Sequence, residues 1–427
     1  MHMKRRDVLT ILGSCAGVSA SRALASAQGC ASPGVPLNYA SVAAVFPGEA
    51  EAYFTEEKLR GLVDMRKPLP KAKYEVVAYN YPCWHPDPWF QKYFGKGWTQ
   101  FQSLRDSKPL YPGHLFPKYP LWGEYNEAEP EWAEREIDTA ARYGIDVWMH
   151  CWYWQEGTMR CHLQLENGFL KARNRQQLRF ALMWANHDWS NHWPGTSDGQ
   201  TAPMSRQRHS EEDMMKVIDY CLEHYFHQPN YWRIDGGLVF GIFSIDSLLR
   251  DIPPEGLPRL FARMRERVAK AGLGDLHLQA NHVSAANVAK LKELGFQSAT
   301  LYQTAGPLVS TIPKGGRVPY GKLAVHAIPY WRQLREHCAV PFFPDCTVGW
   351  DNSPRIGASS RMVTQRSPDQ FERLMVAAKY FLAESRAGVP KIVFLSSWNE
   401  WTEDHVLLPD TVYGYSYLEA VRRVFGG

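Results

Sequence analysis

The sequence lacks the signatures by which nucleotide, metal and nucleic-acid sites are usually recognised in a chain of 427 residues. It contains no Asp-x-Asp pair and no Gly-rich phosphate loop, and it shows no Cys-x-x-Cys, His-x-His or His-x-x-x-His spacing. No Lys/Arg-rich run occurs beyond the first few residues, although the formal net charge is +4. These absences predict a protein with no metal, no cofactor and no nucleic-acid partner.

Cysteines are too few and too scattered for a disulfide framework. Seven of the eight lie after residue 27, and none forms a recognisable pairing motif. A chain of this length buries enough apolar surface to fold without disulfide bonds. A buried thiol behaves as a small hydrophobic group. We therefore expect mainly unpaired thiols, with Cys151 and Cys161 as the one candidate pair.

Long hydrophobic runs are also missing, and the apolar stretch from Val8 to Ala20 is too short for a stable membrane span. It follows Lys4-Arg5-Arg6 and precedes Ala-x-Ala sites that end at Ala25 and Ala27, which predicts an export signal over residues 1–27. The adjacent arginines favour the twin-arginine route, with an ordinary Sec signal as the alternative. The mature protein is then expected to be periplasmic or secreted.

The segment Lys391–His405 carries the clearest sign of chemistry. A buried-strand pattern runs to Leu395 and ends in Trp398-Asn-Glu400-Trp-Thr-Glu403, with two carboxylates three residues apart among tryptophans. In a (β/α)8 barrel, the residues at the C-terminal ends of the strands face the active site. Cleavage of a glycosidic bond needs one carboxyl group to protonate the leaving oxygen and a second to act on the sugar. We therefore predict Glu400 and Glu403 as the catalytic pair, against the alternative of an exposed helix-start feature.

From Tyr74 onward, short apolar runs alternate with helical patterns, which is typical of βαβ units and a parallel sheet. We divide the chain into an export signal (1–27), an N-terminal extension (28–72) and one α/β catalytic domain (73–427). The fold predicted for that domain is a (β/α)8 TIM barrel with long loops at its C-terminal face. Its eight predicted strands are Glu75–Tyr79, Asp146–Trp152, Arg179–Trp184, Leu238–Phe243, Leu276–Ala280, Ser298–Tyr302, Pro341–Thr347 and Lys391–Ser396.

Many of the sixteen tryptophans fall at or just beyond the predicted strand ends. Sugars present flat CH faces and radiating hydroxyls, so their sites combine aromatic rings with polar side chains. A structural role in the core is the alternative for each residue taken alone. The predicted substrate-binding residues are Trp84, His85, Trp152, Trp154, Trp184, Asn186, Trp189, Tyr302, Trp350, Asp351, Trp398 and Asn399.

The segment Trp398–Glu403 resembles the active-site motif of glycoside hydrolase family 99 and of the related WbsX-like proteins. Further matches occur in order between residues 74 and 425. They are Tyr81-Pro-x-Trp84-His85-Pro, Gly95-Lys-Gly97-Trp98-Thr99, Lys108-Pro-Leu-Tyr-Pro-Gly113-His114, Tyr143-Gly-Ile-Asp146, Trp184-Ala-Asn186-x-x-Trp189, Asn230-Tyr231-x-x-Ile-Asp235-Gly236, Gly349-Trp-Asp351-Asn-x-Pro-Arg355 and Tyr413-Gly-Tyr415-x-Tyr417-Leu-Glu419-Ala.

The resemblance implies a (β/α)8 barrel and an endo-acting α-mannoside hydrolase that retains configuration, with participation of the sugar's own 2-hydroxyl. It implies that Glu400 draws the proton from that hydroxyl and that Glu403 is the general acid. Glu403 would then be protonated near neutral pH, its pKa raised by an apolar wall such as Trp401, while Glu400 stays ionised. Thr402 and Asp404 depart from the family-99 pattern, which leaves mannose specificity open.

Two other functions remain as alternatives. The WbsX-like branch is sometimes described as glycosyltransferase, so transfer of a sugar during polysaccharide assembly is one of them. A carbohydrate-binding barrel without catalysis is the other, although binding alone does not require both glutamates. In each case the expected partner is a polysaccharide or oligosaccharide.

Overall fold

The computed structural model describes residues 53–190 and 203–426 of the chain. The predicted export signal and most of the predicted N-terminal extension lie outside these residues. Within them, eight parallel strands form the central sheet. They are β1 (Glu75–Asn80), β2 (Val147–Gln155), β3 (Arg179–Trp184), β4 (Gly237–Ile242), β5 (Leu276–Ala280), β6 (Ser298–Ala299), β7 (Asp345–Thr347) and β8 (Ile392–Ser396).

Each strand pairs with its neighbours along the chain, and the sheet closes on itself. β1 lies between β2 and β8, so that Ala78 aligns with Trp148 on one side and Leu395 on the other. At the remaining seam, the Ala299 N–H donates to Pro341 O and the Phe343 N–H donates to Ala299 O, both at 2.9 Å. The chain then continues into β7. The predicted (β/α)8 barrel is confirmed, and its strands match the predicted ones within a few residues.

The composition of the strands explains the barrel. β8 reads Ile-Val-Phe-Leu-Ser and is buried along its whole length. Parallel strands covered on both faces require such near-continuous apolar runs, because helices pack on the outside and side chains fill the inside. Small serines at the end of β8 allow the following hairpin to turn inward.

Helices surround the sheet, and their starts follow the expected capping chemistry. Ser210 accepts the Asp213 N–H at 3.0 Å, and Ser367 accepts the Gln370 N–H at 3.2 Å. The sequence predicts both caps, because Ser210 precedes an acidic first turn and Ser367 precedes Pro368. The helices are α1 (Glu56–Leu62), α2 (Pro88–Phe94), α3 (Phe101–Asp106), α4 (Pro130–Arg142), α5 (Glu211–His224), α6 (Ile245–Asp251), α7 (Leu257–Lys270), α8 (Gly306–Ser310), α9 (Tyr320–His337), α10 (Ser353–Ile356), α11 (Pro368–Ala383) and α12 (Ser416–Phe425).

The interval between β2 and β3 departs from a simple strand–helix unit. Its pattern predicts a helix over Arg160–Lys171, but Thr158–Arg160 folds back as a strand on the end of β2. A π-turn at Gln164–Gly168 and a 3-10 turn at Phe169–Lys171 follow. The backbone passes so close to Glu127 that a Cβ on Gly168 would lie 2.1 Å from the Glu127 carbonyl oxygen. The segment therefore has π and 3-10 turns at this close approach instead of a regular α-helix.

A second predicted helix, over Ser284–Leu294, is reduced to a 3-10 turn at Val288–Lys290. The Asn287 side chain accepts the Ser284 N–H at 2.9 Å, so a local side-chain bond competes with the first helical turn. No helix in residues 53–190 and 203–426 has the length and apolar character needed to cross a membrane.

Candidate active site

The chain leaves β8 and forms a short hairpin that carries both predicted catalytic residues. Asn399–Glu400 pairs antiparallel with His405–Val406, and a 3-10 turn at Trp401–Glu403 connects them. Asp404 closes the turn with φ 59°, in the left-handed region. Both glutamates therefore lie at the C-terminal end of the barrel, where this fold places its active sites.

Glu400 and Glu403 open onto a cavity of about 240 Å3. Its walls come from the ends of β1, β2 and β3 and from the loops that follow β4, β6, β7 and β8. The lining residues are Tyr81, Cys151, Tyr153, Met183, Ala185, His187, Asp188, Trp189, Phe243, Tyr302, Arg355, Glu400 and Glu403. Aromatic rings and two carboxyl groups thus line the same cavity.

A guanidinium joins the two carboxyl groups. Arg355, from α10 in the loop after β7, donates to Glu400 Oε1 at 2.5 Å and through its other terminal nitrogen to Glu403 Oε1. Its Nε donates to Thr402 Oγ1 at 3.0 Å. Sequence reasoning missed this residue, although Arg355 ends one of the motifs shared with the resembling families. Its place at the end of that motif was the available signal.

The two carboxyl groups differ in their electrostatics. Burial raises the pKa of Glu400 well above its usual value, and this outweighs the opposing effect of Arg355. Burial acts in the same direction on Glu403, but there Arg355 and His405 together prevail, and its pKa is lowered. The sequence suggested the opposite order, with Glu403 as the protonated group. The physical reason for the difference is the extra partner, His405, whose Nε2 lies 2.8 Å from Glu403 Oε2.

Of the predicted substrate-binding residues, Trp189 and Tyr302 line the cavity with the two glutamates. Asn399 is buried beside them and holds the end of β1. Its side chain accepts the Tyr81 N–H at 2.7 Å and donates to Tyr81 O at 2.8 Å. The Tyr81 ring is thereby fixed at the cavity wall, which makes Asn399 a positioning residue.

Three predicted contact residues belong to the core instead. Trp84, Trp184 and Trp398 are completely buried and are absent from the lining of this cavity. The Trp84 and Phe101 ring centroids are 4.7 Å apart. Strand-end position alone did not distinguish rings that point into the barrel mouth from rings that pack beneath its loops.

Four more of the predicted contact residues pack behind the loops and do not face the cavity. The Trp152 and Trp154 rings stack at 5.8 Å, and the Trp154 indole donates to Asp213. His85 lies 3.0 Å from Glu127, and burial lowers its pKa to about 4. Asn186 accepts the Ser244 N–H at 2.7 Å. None of them lines the cavity, because each is turned toward a polar partner inside the structure.

Trp350 and Asp351 lie near the pair without lining its cavity. The Trp350 ring stacks on His405 at 5.8 Å with an interplanar angle of 16°. Asp351 accepts from His114 Nε2 at 2.8 Å in the tautomer that donates, and lines a second cavity of about 670 Å3 together with Asp404. Consecutive residues, Glu403 and Asp404, thus face two different cavities.

Cavity residues that sequence reasoning did not select include Tyr81, Tyr153, His187 and Phe243. Tyr81 and Tyr153 follow directly on the apolar runs of β1 and β2, which was a usable signal. Within the described ranges, no group of three or more His, Cys, Asp or Glu side chains is arranged to hold a metal ion.

A closed parallel barrel with a polar cluster at the C-terminal ends of its strands is a TIM barrel. Residues 76–421 match the family model described as glycosyltransferase WbsX, and the chain belongs to that family. It is 26% identical over 362 residues to WxcX, an uncharacterised protein of Xanthomonas campestris pv. campestris. The match covers 82% of this chain and 49% of that protein, so the chain spans about half the length of these curated relatives.

Solved structures similar in fold include a GH99 endo-alpha-mannosidase from Bacteroides thetaiotaomicron, with a TM-score of 0.50 and 15% identity over 82% of this chain and 95% of that one. Another is described as a glycoside hydrolase-like protein, with a TM-score of 0.52 and 14% identity over 88% and 99%. At these identities the likeness concerns the fold. The barrel fold is therefore shared with that endo-alpha-mannosidase.

Proposed function

We propose that this protein is an exported glycoside hydrolase that cleaves α-linked glycans of a mannan-like polysaccharide by means of Glu400 and Glu403. The observation that carries the proposal is a buried carboxyl group, Glu400, joined by Arg355 to the partly buried Glu403 in a cavity at the C-terminal end of the barrel. Two carboxyl groups with different pKa values are what glycosidic cleavage requires, because one must donate a proton while the other remains charged.

The cavity suits a sugar ring. Tyr81, Tyr153 and Trp189 supply aromatic surface on which the CH face of a sugar packs, and the carboxyl groups and Arg355 supply polar contacts for hydroxyls. Its volume of about 240 Å3 lies below the roughly 300–1,000 Å3 of drug-sized pockets. This favours one sugar unit held at the pair, with the rest of the glycan outside.

The preference for α-mannosides and for retention of configuration comes from the resemblance to family 99 and from the activity in the name of the similar Bacteroides structure. Endo-action is part of the same proposal. Departures from the family-99 motif at Thr402 and Asp404 make related α-linked glycans a necessary part of any substrate panel.

A glycosyltransferase is the second candidate, and the description of the matching family favours it. Transfer from a nucleotide sugar would need a site for the phosphates, for which the sequence offers neither an Asp-x-Asp pair nor a Gly-rich loop. The two candidates differ in their donor. A hydrolase acts on the glycan and water alone, whereas a transferase consumes an activated sugar.

The deciding experiment incubates the protein with α-mannans and related α-glycans, and separately with nucleotide sugars and acceptor oligosaccharides. We expect new reducing ends from the first set, lost in Glu400→Gln and Glu403→Gln. Glu255→Gln, which alters an exposed carboxylate outside the cavity, is the matched control. Release of nucleotide from the second set would identify a transferase instead, and binding of glycans without turnover would identify a carbohydrate-binding barrel.

A further inference from the structure

A row of aromatic rings leads from the carboxyl pair toward the surface of the protein. It begins at Tyr81, whose ring centroid lies 5.8 Å from the guanidinium carbon of Arg355. The ring centroids of Tyr81 and Tyr153 are 6.5 Å apart, and those of Tyr153 and Trp189 are 4.8 Å apart, both in edge-on contacts. These three rings line the cavity. The row continues outside the cavity, because the Trp89 ring meets Trp189 edge-on at 5.0 Å.

The outer end of this row is open to solvent. Tyr93 lies one helical turn after Trp89 in α2, and the two ring centroids are 4.9 Å apart. Trp189 is 8% exposed and Trp89 is partly buried, whereas Tyr93 is 46% exposed. No other Phe, Tyr or Trp of the described residues is as exposed as Tyr93. The row therefore passes from an enclosed wall to an accessible aromatic surface.

The inward packing of α2 is supplied by a different pair of rings. Phe90 is 1% exposed, and its ring packs on Phe94 at 6.1 Å and on Trp98 at 5.0 Å. Residues four apart share one face of a helix, so Phe90 and Phe94 form one aromatic face of α2 and Trp89 and Tyr93 form a second. Aromatic side chains outside the core and next to a cavity indicate a binding surface.

A buried arginine holds Trp89 against the cavity wall. Arg160 is 6% exposed, and its guanidinium carbon lies 4.3 Å from the Trp89 ring centroid and 5.3 Å from that of Trp189. Its Nη2 donates to Gln155 Oε1 and to Ser205 Oγ, whereas its Nε and Nη1 have no hydrogen-bond partner in the described parts of the chain. Burying a cation is costly, and the cation–π contacts with two indoles offset part of that cost. The guanidinium thus fixes the two indoles relative to each other.

The size of the cavity requires such a surface. At about 240 Å3 it favours one sugar unit at the carboxyl pair, so the remaining units of a glycan chain lie outside it. The row of rings gives that part of the chain a direction, from Trp189 to Trp89 and Tyr93. An aromatic ring offers a flat apolar face that matches the CH face of a sugar.

We propose that Trp89 and Tyr93 form a second sugar-binding subsite, which takes a unit of the same glycan outside the cavity, and that Arg160 is a positioning residue that holds this subsite against Trp189. The inference rests on the proposed hydrolase function. It specifies the substrate as a chain of several sugars, because a single glycoside does not reach from the carboxyl pair to Tyr93.

The test compares the binding of a short and a long oligosaccharide. Calorimetric titration of the full-length protein, with Glu403→Gln introduced to prevent cleavage, measures Kd for an α-linked manno-disaccharide and for the hexasaccharide. We expect the hexasaccharide to bind more tightly, and Tyr93→Ala or Trp89→Ala to weaken its binding by about three- to tenfold without changing that of the disaccharide. Tyr330→Ala is the matched control, since Tyr330 is a partly buried tyrosine of α9 whose ring stacks on His326.

The subsite is overturned if both oligosaccharides lose affinity equally, if Tyr93→Ala binds the hexasaccharide as the wild type does, or if Tyr330→Ala causes the same loss. Tyr93 is exposed, so Tyr93→Ala is expected to keep the melting temperature of the wild type. The test therefore stands even if Trp89→Ala does not fold.

Arg160→Lys keeps the positive charge but not the planar guanidinium. We expect it to weaken hexasaccharide binding as Trp89→Ala does, and unchanged binding would overturn the positioning role of Arg160. Failure of the hydrolase function gives a different result: the hexasaccharide binds at Trp89 and Tyr93, yet protein with native Glu403 releases no reducing ends from it. Binding of neither oligosaccharide would overturn both proposals.

Discussion

At the scale of single residues, the charge of the active site depends on one arginine. Arg355 contacts both carboxyl groups, because its two terminal guanidinium nitrogens each donate to one of them. Taking the cation away leaves two negative groups sharing a low-dielectric space, which favours protonation of both. Removing the guanidinium is therefore expected to change the protonation of both glutamates.

We expect Arg355→Ala to reduce kcat by about a hundredfold or more, which is the scale of losing one electrostatic stabiliser. Since Arg355 lowers the pKa of Glu403, its removal raises that pKa, and the acid side of the pH–rate profile should move to higher pH. Arg355→Lys keeps the positive charge but not the planar guanidinium, so its kcat is expected to lie between that of the wild type and that of Arg355→Ala. An unchanged acid limb in Arg355→Ala would show that Glu403 is not the group that titrates there.

Tryptophans that look alike in the sequence are expected to behave differently when truncated. Trp84 is completely buried against Phe101, so Trp84→Ala should lower the free energy of unfolding by about 3–5 kcal/mol. Trp189 lines the cavity, so Trp189→Ala should mainly raise KM. Thermal melting and steady-state kinetics on the same two variants check this contrast, and equal losses of stability would contradict it.

At the scale of elements, the hairpin after β8 and the close approach at Gly168 illustrate what a sequence does and does not reveal. Apolar runs and caps such as Ser210 and Ser367 are local features, so the strands and the main helices were predictable from the sequence. Gly168 next to Glu127 and Arg355 next to Glu400 are contacts between distant parts of the chain. No local pattern encodes them, and the helix predicted at Arg160–Lys171 begins as the end of a strand and continues as π and 3-10 turns over Gln164–Gly168 and Phe169–Lys171.

The same argument explains the predicted binding residues. Trp189 and Tyr302 lie at the cavity, whereas Trp84 and Trp184 lie below it, yet all four follow strand ends in the sequence. Whether a ring points into the mouth or under a loop depends on the path of the loops, and that path is set by tertiary packing. The positions of the two glutamates were predictable because they follow β8 directly.

Gly168→Ala is expected to destabilise the protein, because its new methyl group would meet the Glu127 carbonyl and displace the loop that supports His85. Gly61→Ala is the matched control, since Gly61 lies in α1 with open space around its Cβ position. That change should be neutral or stabilise by up to about 1 kcal/mol. Denaturant unfolding of both variants gives the comparison, and similar midpoints would refute the close approach.

At the scale of the whole molecule, export is a prediction that concerns residues outside the described ranges. The basic start, the apolar stretch and the two Ala-x-Ala sites favour removal of about 25 to 27 residues. Mass spectrometry of the protein from the periplasm or the medium should show a new N-terminus after Ala25 or Ala27. An intact Met1 on protein confined to the cytoplasm would contradict export. Replacing Arg5 and Arg6 by lysine should retain the protein inside if the twin-arginine route is used, and leave a Sec signal working.

The barrel is held together by fewer hydrogen bonds at the seam, where Ala299 of β6 meets the segment before β7, than between β2 and β3. Two backbone hydrogen bonds join β6 to the segment before β7, whereas β2 and β3 align over six residue pairs. Local fluctuations start where few contacts must break, so the amides of Ala299 and Phe343 should exchange with deuterium before those of β2 and β3. The carboxyl pair follows β8, which pairs with β1 on one side and with β7 on the other. Opening at this seam would therefore act on the cavity that the pair lines, because Tyr302 follows β6 and Arg355 follows β7.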